Sequence, residues 1–307
     1  MKNLQQRGHL LTEQVNPYSQ NLDQLSSLEL VDLFNQEDNR TLEAIASSRL
    51  QLSQAVDITT ESLSQGGRLF YVGAGTSGRL GVLDAAECPP TFCTSPELIQ
   101  GIIAGGAGAL VRSSEDLEDS WRDGNQAIAS RHITNLDVIV GITAGGTTPY
   151  VHGALEAAKQ RGAKTIFITC VPEEQFKVEV DLDIRLLVGP ELLTGSTRLK
   201  AGTVTKMALN ILSTGVMVKL GKVYGNRMID VAIKNTKLRD RALRIIEDLT
   251  ELSRDEAGKL LHKSGDSVKL ALLMHWSNLE KEEGNRVLSE YQGNLRAALK
   301  REGFSTE

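Results

Sequence analysis

Behind the apolar run Leu69-Phe70-Tyr71-Val72 the chain reads Gly73-Ala74-Gly75-Thr76-Ser77-Gly78-Arg79. A glycine-rich turn between a strand and a helix leaves main-chain N–H groups unspent at the helix N-terminus, where the helix dipole also favours negative charge. Thr76 and Ser77 add hydroxyl donors and Arg79 adds a cation, so the guest that fits is a phosphate. Glu87 follows roughly three helical turns later, which makes it a candidate to act on whatever carries that phosphate. Cys88-Pro89-Pro90 comes directly after it, and the prolines are expected to end the helix.

A second loop of the same kind follows a later apolar run: Thr143-Ala144-Gly145-Gly146-Thr147-Thr148-Pro149. A third hydroxyl-rich stretch, Thr194-Gly195-Ser196-Thr197-Arg198, opens a long helical segment. Any one of these alone reads equally well as a tight turn with a helix cap. Together, at strand ends of one sheet, they favour a sugar phosphate, with Gly146, Thr147, Thr148, Ser196, Thr197 and Lys200 as further candidate contacts. The first loop also satisfies G-x-G-x-x-G at Gly73, Gly75 and Gly78. A dinucleotide site would also want an acidic residue at the end of the second strand to hold the ribose hydroxyls. That strand ends Ile102-Ile103-Ala104-Gly105-Gly106, without a carboxylate, and no Gly-Lys-Ser/Thr phosphate loop occurs.

The acidic run Glu115-Asp116-Leu117-Glu118-Asp119 follows the Gly105-Gly106 turn. A solvated helix face accounts for such a run, and a surface helix position accounts for Glu87. If carboxylates from the two places meet over the ligand, one can take a proton from a carbon beside a carbonyl. The other, kept protonated, can give one to a leaving oxygen. Rival catalytic kits are poorly represented. The five histidines are scattered, no HExxH or Cys/His metal spacing occurs, and no G-x-S-x-G nucleophile elbow exists, since Arg79 occupies the last place after Ser77. Nothing in the sequence calls for a metal or a cofactor.

These residues need a scaffold. Short apolar runs at Leu69–Val72, Leu98–Ala104, Asp137–Thr143, Thr165–Cys170 and Ile184–Val188 read as strands buried on both faces. Helix-compatible segments 79–87, 114–131 and 150–161 separate them, which predicts an α/β, doubly wound parallel sheet. Arg198–Leu220 reads as a further long helix. Before the sheet lies a polar arm with a short helix capped by Ser26, then a helix opened by Asp38 that runs to Gly66-Gly67. After it, segments 236–250, 255–263, 266–274 and 278–300 read as a small helical bundle. The expected division is an N-terminal arm and helices over 1–66, a sheet domain over 67–235, and a C-terminal helical bundle over 236–307.

Composition excludes several partners. Thirty-four Lys and Arg against 39 Asp and Glu leave a net charge of −5, and aromatics are only 4%, which argues against a nucleic-acid face. No apolar run approaches the ~20 residues of a membrane span, and the first residues lack the apolar core of a secretory signal. Three cysteines form neither a CxxC pair nor an even disulfide framework, so a reducing cytoplasm is the expected setting.

Three strings then carry a resemblance: Gly73–Gly81, Asp84-Ala85-Ala86-Glu87-Cys88-Pro89-Pro90, and Thr194-Gly195-Ser196-Thr197-Arg198-Leu199-Lys200-Ala201-Gly202-Thr203. They resemble the N-acetylmuramic acid 6-phosphate etherase family, enzymes with a sugar isomerase (SIS) domain. Thr12-Glu13-Gln14 with Asn16-Pro17, Ser27-Leu28-Glu29 and Gly225-Asn226 are similar to other parts of it. The resemblance implies cleavage of the lactyl ether at C3 of the sugar phosphate. The open-chain aldehyde acidifies the C2 proton, a base removes it, an acid protonates the departing lactyl oxygen, and water then adds. The family's proton-donor glutamate falls on Glu87 and its second catalytic glutamate on Glu118. The resemblance also implies a homodimer. A non-catalytic sugar-phosphate regulator of the glucokinase regulatory protein type is the alternative, since it is similar in fold. One departure stands out: the family's second loop reads Ala-Ser-Gly-Arg-Thr-Pro, whereas Gly145 and Thr147 occupy its serine and arginine positions here. Loss of one charged hydrogen bond, ~1.5–3 kcal/mol, predicts ~10–100-fold weaker binding unless Thr147 or Thr148 substitutes.

Overall fold

In the computed structural model, residues 7–112, 117–233, 235–301 and 303 are described. Ser114, Glu115 and Asp116 of the expected helical segment 114–131 lie outside them. The chain divides into two compact units, residues 1–86 with 96–213, and residues 87–95 with 214–307.

The first unit begins with the arm and two helices, α1 (Ser27–Ser47) and α2 (Arg49–Ser64). Ser26 caps α1 in a capping box with Glu29, as its type and spacing predict. Where the sequence suggests a fresh helix at Asp38, α1 instead runs straight through, because no glycine or proline interrupts residues 27–47. The break falls at Ser48, whose hydroxyl donates to the Arg185 carbonyl at 2.8 Å.

Five strands follow: β1 (Leu69–Gly73), β2 (Ile99–Ile103), β3 (Val138–Ile142), β4 (Lys164–Thr169) and β5 (Leu182–Arg185). All pair in parallel in the order β2-β1-β3-β4-β5. Every residue of β1 and β3 is buried, as strands covered by helices on both faces must be. The crossovers carry α3 (Gly75–Phe92), α4 (Trp121–Ala129) and α5 (Pro149–Gln160), and α6 (Lys200–Lys219) follows β5. This is the expected doubly wound sheet. Strand order reverses between β1 and β3, the place where such sheets open a crevice at their C-terminal edge. Gly73 pairs with Ile142, so β1 and β3 end level and release their loops side by side.

The prolines do not end α3. Pro89 and Pro90 sit inside its last turns, and the helix stops at Phe92, where Cys93 takes the left-handed conformation at φ 53°.

The second unit holds a short hairpin of β6 (Val223–Tyr224) and β7 (Arg227–Met228). It also holds α7 (Thr236–Thr250), α8 (Arg254–Lys263), α9 (Val268–Ser277), α10 (Lys281–Glu290) and α11 (Leu295–Arg301). The segment expected as one helix over 278–300 is thus two, separated at Gln292-Gly293, both with positive φ. Residues 268–274 of α9 are all buried, so α9 forms the centre around which the other helices pack. No described helix is long and apolar enough to cross a membrane.

Candidate active site

A cavity of about 160 Å³ opens where the loops after β1 and β3 meet. Loop one supplies Ala74, Gly75, Thr76 and Ser77, and loop two supplies Thr143, Ala144, Gly145, Thr147 and Thr148. Thr197, Glu118 and three residues of the N-terminal arm, Arg7, Leu10 and Glu13, complete most of the wall. Seven sequence-predicted residues therefore come together here: Gly75, Thr76, Ser77, Glu118, Thr147, Thr148 and Thr197.

The first loop works through main chain. Gly75 holds φ +51° with open space where a side chain would be, and α3 begins at once. Its first N–H groups, which have no partner inside the helix, thus border the cavity. Gly78 serves packing: a Cβ there would stand 2.6 Å from Ile103 Cγ1 and 2.7 Å from the Gly73 carbonyl oxygen.

The second loop works through side chains. Thr148 donates its hydroxyl proton to Glu118 Oε1 at 3.2 Å. That proton being spent, the 2.8 Å contact between the Thr143 and Thr148 hydroxyls must be donated by Thr143. A directed pair of hydrogen bonds therefore ends on the Glu118 carboxylate, and Glu118 Oε2 has no hydrogen-bond partner among the described residues. The Glu118 main chain is held too, its carbonyl accepting from Tyr150 N at 3.1 Å. Glycines bring the two segments so close. A Cβ on Gly124 of α4 would fall 1.9 Å from the Tyr150 carbonyl oxygen, and one on Gly153 of α5 would fall 2.0 Å from that of Trp121. Loop two is braced from behind by His152, whose Nε2–H donates to the Gly146 carbonyl at 2.7 Å, with Gly146 at φ +78°. The imidazole lies 4.9 Å from the Phe176 ring, and burial pushes its pKa below the usual histidine value.

The remaining predicted residues lie off the wall. Arg79 Nε donates to the Leu110 carbonyl at 3.2 Å, fastening the stretch that leads to Glu118. Ser196 shapes its turn through main-chain bonds with Leu193 and Leu199. Lys200 departs most from expectation. It is 1% exposed, and its Nζ donates to Glu37 Oε2 at 2.6 Å. Glu37 also accepts from Asn16 and Arg40, and Glu191 caps α6 by accepting from the N–H groups of Lys200 and Ala201. Burial pushes the Glu37 carboxyl up, but the bonds from Lys200, Asn16 and Arg40 outweigh it and hold its pKa below the ordinary range. A lysine so engaged is a structural tie between α1 and α6. Glu87 is exposed on α3, in the second unit.

The arm residues on the wall were not singled out as site residues by sequence. Leu10 is 1% exposed and Leu11 N donates to Gln175 Oε1 at 2.8 Å, so the arm is fastened to the sheet domain. The sequence offered a polar stretch too short for periodicity and, for Glu13, the Thr12-Glu13-Gln14 string that resembles the family without marking a site role. Arg7, paired loosely with Asp119 at 3.8 Å, is the one cation on the wall among the described residues.

Three family models match the chain. The model for the glucokinase regulatory protein N-terminal SIS domain matches residues 51–159, and that for the SIS domain matches 125–214. The model for the C-terminal lid domain of glucokinase regulatory protein matches 225–281. Among solved structures, a phosphoheptose isomerase from Francisella tularensis is similar with a TM-score of 0.49 at 16% identity, over 63% of this chain and 100% of that one. An N-acetylmuramic acid 6-phosphate etherase of Nostoc punctiforme is 75% identical over 299 residues, 97% of each chain. Another, of Trichodesmium erythraeum, is 88% identical over 307 residues, the full length of both. At that identity from end to end, the chain belongs to the N-acetylmuramic acid 6-phosphate etherase family.

Proposed function

We propose that this protein is a carbon–oxygen lyase that cleaves the D-lactyl ether of N-acetylmuramic acid 6-phosphate, giving N-acetylglucosamine 6-phosphate and D-lactate in amino-sugar recycling. The observation that carries the reading is the 88% identity over the whole chain to a protein named as this etherase. The matches to regulatory-protein domains are of domain length and do not favour the regulator.

The cavity suits the chemistry. The phosphate is taken by the N-terminus of α3 with Thr76 and Ser77, and by Thr147 on the facing loop. Glu118 and Glu87 are the catalytic pair. Glu118, held at one oxygen by Thr148 and with the other oxygen unpartnered among the described residues, is placed to take the C2 proton of the open-chain aldehyde. The electron pair released at C2 expels the C3 lactyl oxygen, which takes a proton from Glu87; water then adds at C3 of the unsaturated aldehyde. The assignment of Glu87 rests on the resemblance of the Asp84–Pro90 string. Gly78, Arg79, Gly146 and Ser196 support the loops, and Lys200 acts on stability. We further propose a homodimer working in the cytoplasm.

The test is incubation with N-acetylmuramic acid 6-phosphate in deuterated water. D-lactate should appear together with N-acetylglucosamine 6-phosphate carrying deuterium at C2. Ligand binding without lactate overturns the lyase and promotes the regulator.

A further inference from the structure

The elimination needs an open-chain aldehyde, yet the sugar phosphate rests as a closed ring. Two glutamates account for the C2 proton and the lactyl oxygen, which leaves ring opening without a group. The cavity carries one carboxylate that the mechanism does not use, Glu13.

Several observations mark Glu13 out. It lies on the wall together with Glu118, while its neighbours Leu10 and Thr12 are each 1% exposed. Glu13 N donates to the Leu10 carbonyl at 2.9 Å, and the arm is pinned by Leu11 on Gln175, so its position is set by buried neighbours. The carboxylate leans over the Thr194–Thr197 turn: a Cβ on Gly195 would stand 3.1 Å from Glu13 Oε2. Gly195 is at φ +75° and keeps that space clear, and Thr197 of the same turn also lines the cavity. Among the described residues the Glu13 carboxylate has neither a hydrogen-bond donor nor an ion-pair partner. The arm thus fixes the Glu13 backbone at the cavity and leaves its exposed carboxylate without a protein partner among the described residues, free to reach a ligand and exchange a proton with it.

We infer that Glu13 is the acid–base group that opens the sugar ring. Its carboxylate takes the proton of the anomeric O1 hydroxyl as the C1–O5 bond breaks. The electron pair of that bond goes to O5, C1 becomes the aldehyde carbon, and Glu13 hands the proton on to O5. Nothing is oxidised or reduced, and the carboxylate is regenerated. The proposal rests on the etherase reading and adds one residue to it.

The test separates ring opening from later chemistry with two substrates. One is closed-ring N-acetylmuramic acid 6-phosphate, followed by D-lactate release. The other is the acyclic 2,3-unsaturated aldehyde 6-phosphate, followed by hydration, which needs no ring opening of the reactant. Glu13→Gln should lower kcat on the closed ring at least tenfold while hydrating the acyclic aldehyde at the parental rate. Glu118→Gln should fall on both. Glu13→Asp, which keeps the carboxylate on a shorter stem, should recover part of the closed-ring rate. Equal loss by Glu13→Gln on both substrates overturns the assignment, as does no loss on either. Should the unmutated protein release no lactate at all, the etherase reading fails first, and the parental lane alone shows it.

Discussion

The loops after β1 and β3 look alike in sequence, each a run of glycines and hydroxyls, and they border one cavity. They do different work. The first presents the bare start of α3, with Gly75 for the turn and Gly78 for close packing on β2. The second spends its hydroxyls inward, Thr143 on Thr148 and Thr148 on Glu118. One loop is a cradle made of main chain, and the other is a bracket made of side chains. A hydroxyl counted from sequence as a ligand contact can therefore be a hydrogen bond already used.

That contrast can be broken by measurement. Glu118→Gln should cost the most, ~10²–10⁴-fold in kcat with little change in KM, as expected for a group acting on a proton in flight. A loss confined to KM would return Glu118 to ligand binding. Lys200→Met comes next and acts elsewhere: stripping the cation from a buried pair should destabilise the fold by ~3–5 kcal/mol. Urea unfolding measures it, and folded protein at low temperature should keep its KM. The same pair sets a pH dependence. Glu37 has a folded-state pKa below its ordinary 4.5, so its contribution is present above that value and is lost as pH falls through the folded one. In Lys200→Met the acid-side fall in stability should be shallower; an unchanged slope would show that the pair does not titrate in this window.

Thr148→Val follows, removing a hydrogen bond to a charged acceptor worth ~1.5–3 kcal/mol, or ~10–100-fold in kcat. Thr148→Ser keeps the hydroxyl and should restore most of the rate. If Thr148→Val instead raises KM and spares kcat, Thr148 joins Thr147 as a phosphate contact instead of bracketing Glu118, and the contrast between the loops disappears. The smallest effect belongs to Thr143→Val, which removes a neutral hydrogen bond of ~1 kcal/mol one step further from the carboxylate. Steady-state rates should show a loss of roughly fivefold, below that of Thr148→Val.

Much of the scaffold was legible because its signals are local. Continuous apolar runs marked the strands, and Ser26 with Glu29 marked the first cap. The errors were local signals overruled. Pro89 and Pro90 are accommodated in the last turns of α3, and α1 passes Asp38 because nothing breaks it. The site was legible in part. Gly75, Thr76, Ser77, Thr147, Thr148 and Thr197 reach the cavity, and the signal was that three glycine and hydroxyl loops recur in one sheet domain where any one alone would read as a capped turn. Lys200 was misleading, since a lysine beside a hydroxyl-rich turn looks like an anion contact until Glu37, 163 residues away in sequence, is found on it. Arg7 and Glu13 carried no periodic signal at all.

The sequence by itself determined the sheet, the two loops, the absence of a dinucleotide acid and the family. The first three follow from residue types a few positions apart, where turn geometry and burial leave little choice; the family follows from the resemblance of whole strings. Only the tertiary structure decided what each polar group touches. Gly124 and Gly153 let α4 and α5 close up until Tyr150 and Thr148 grip Glu118, and the arm brings Glu13 over Gly195. Hydrogen bonds and buried ion pairs act over about 3 Å between residues that the chain holds far apart, so no pattern along the sequence encodes them.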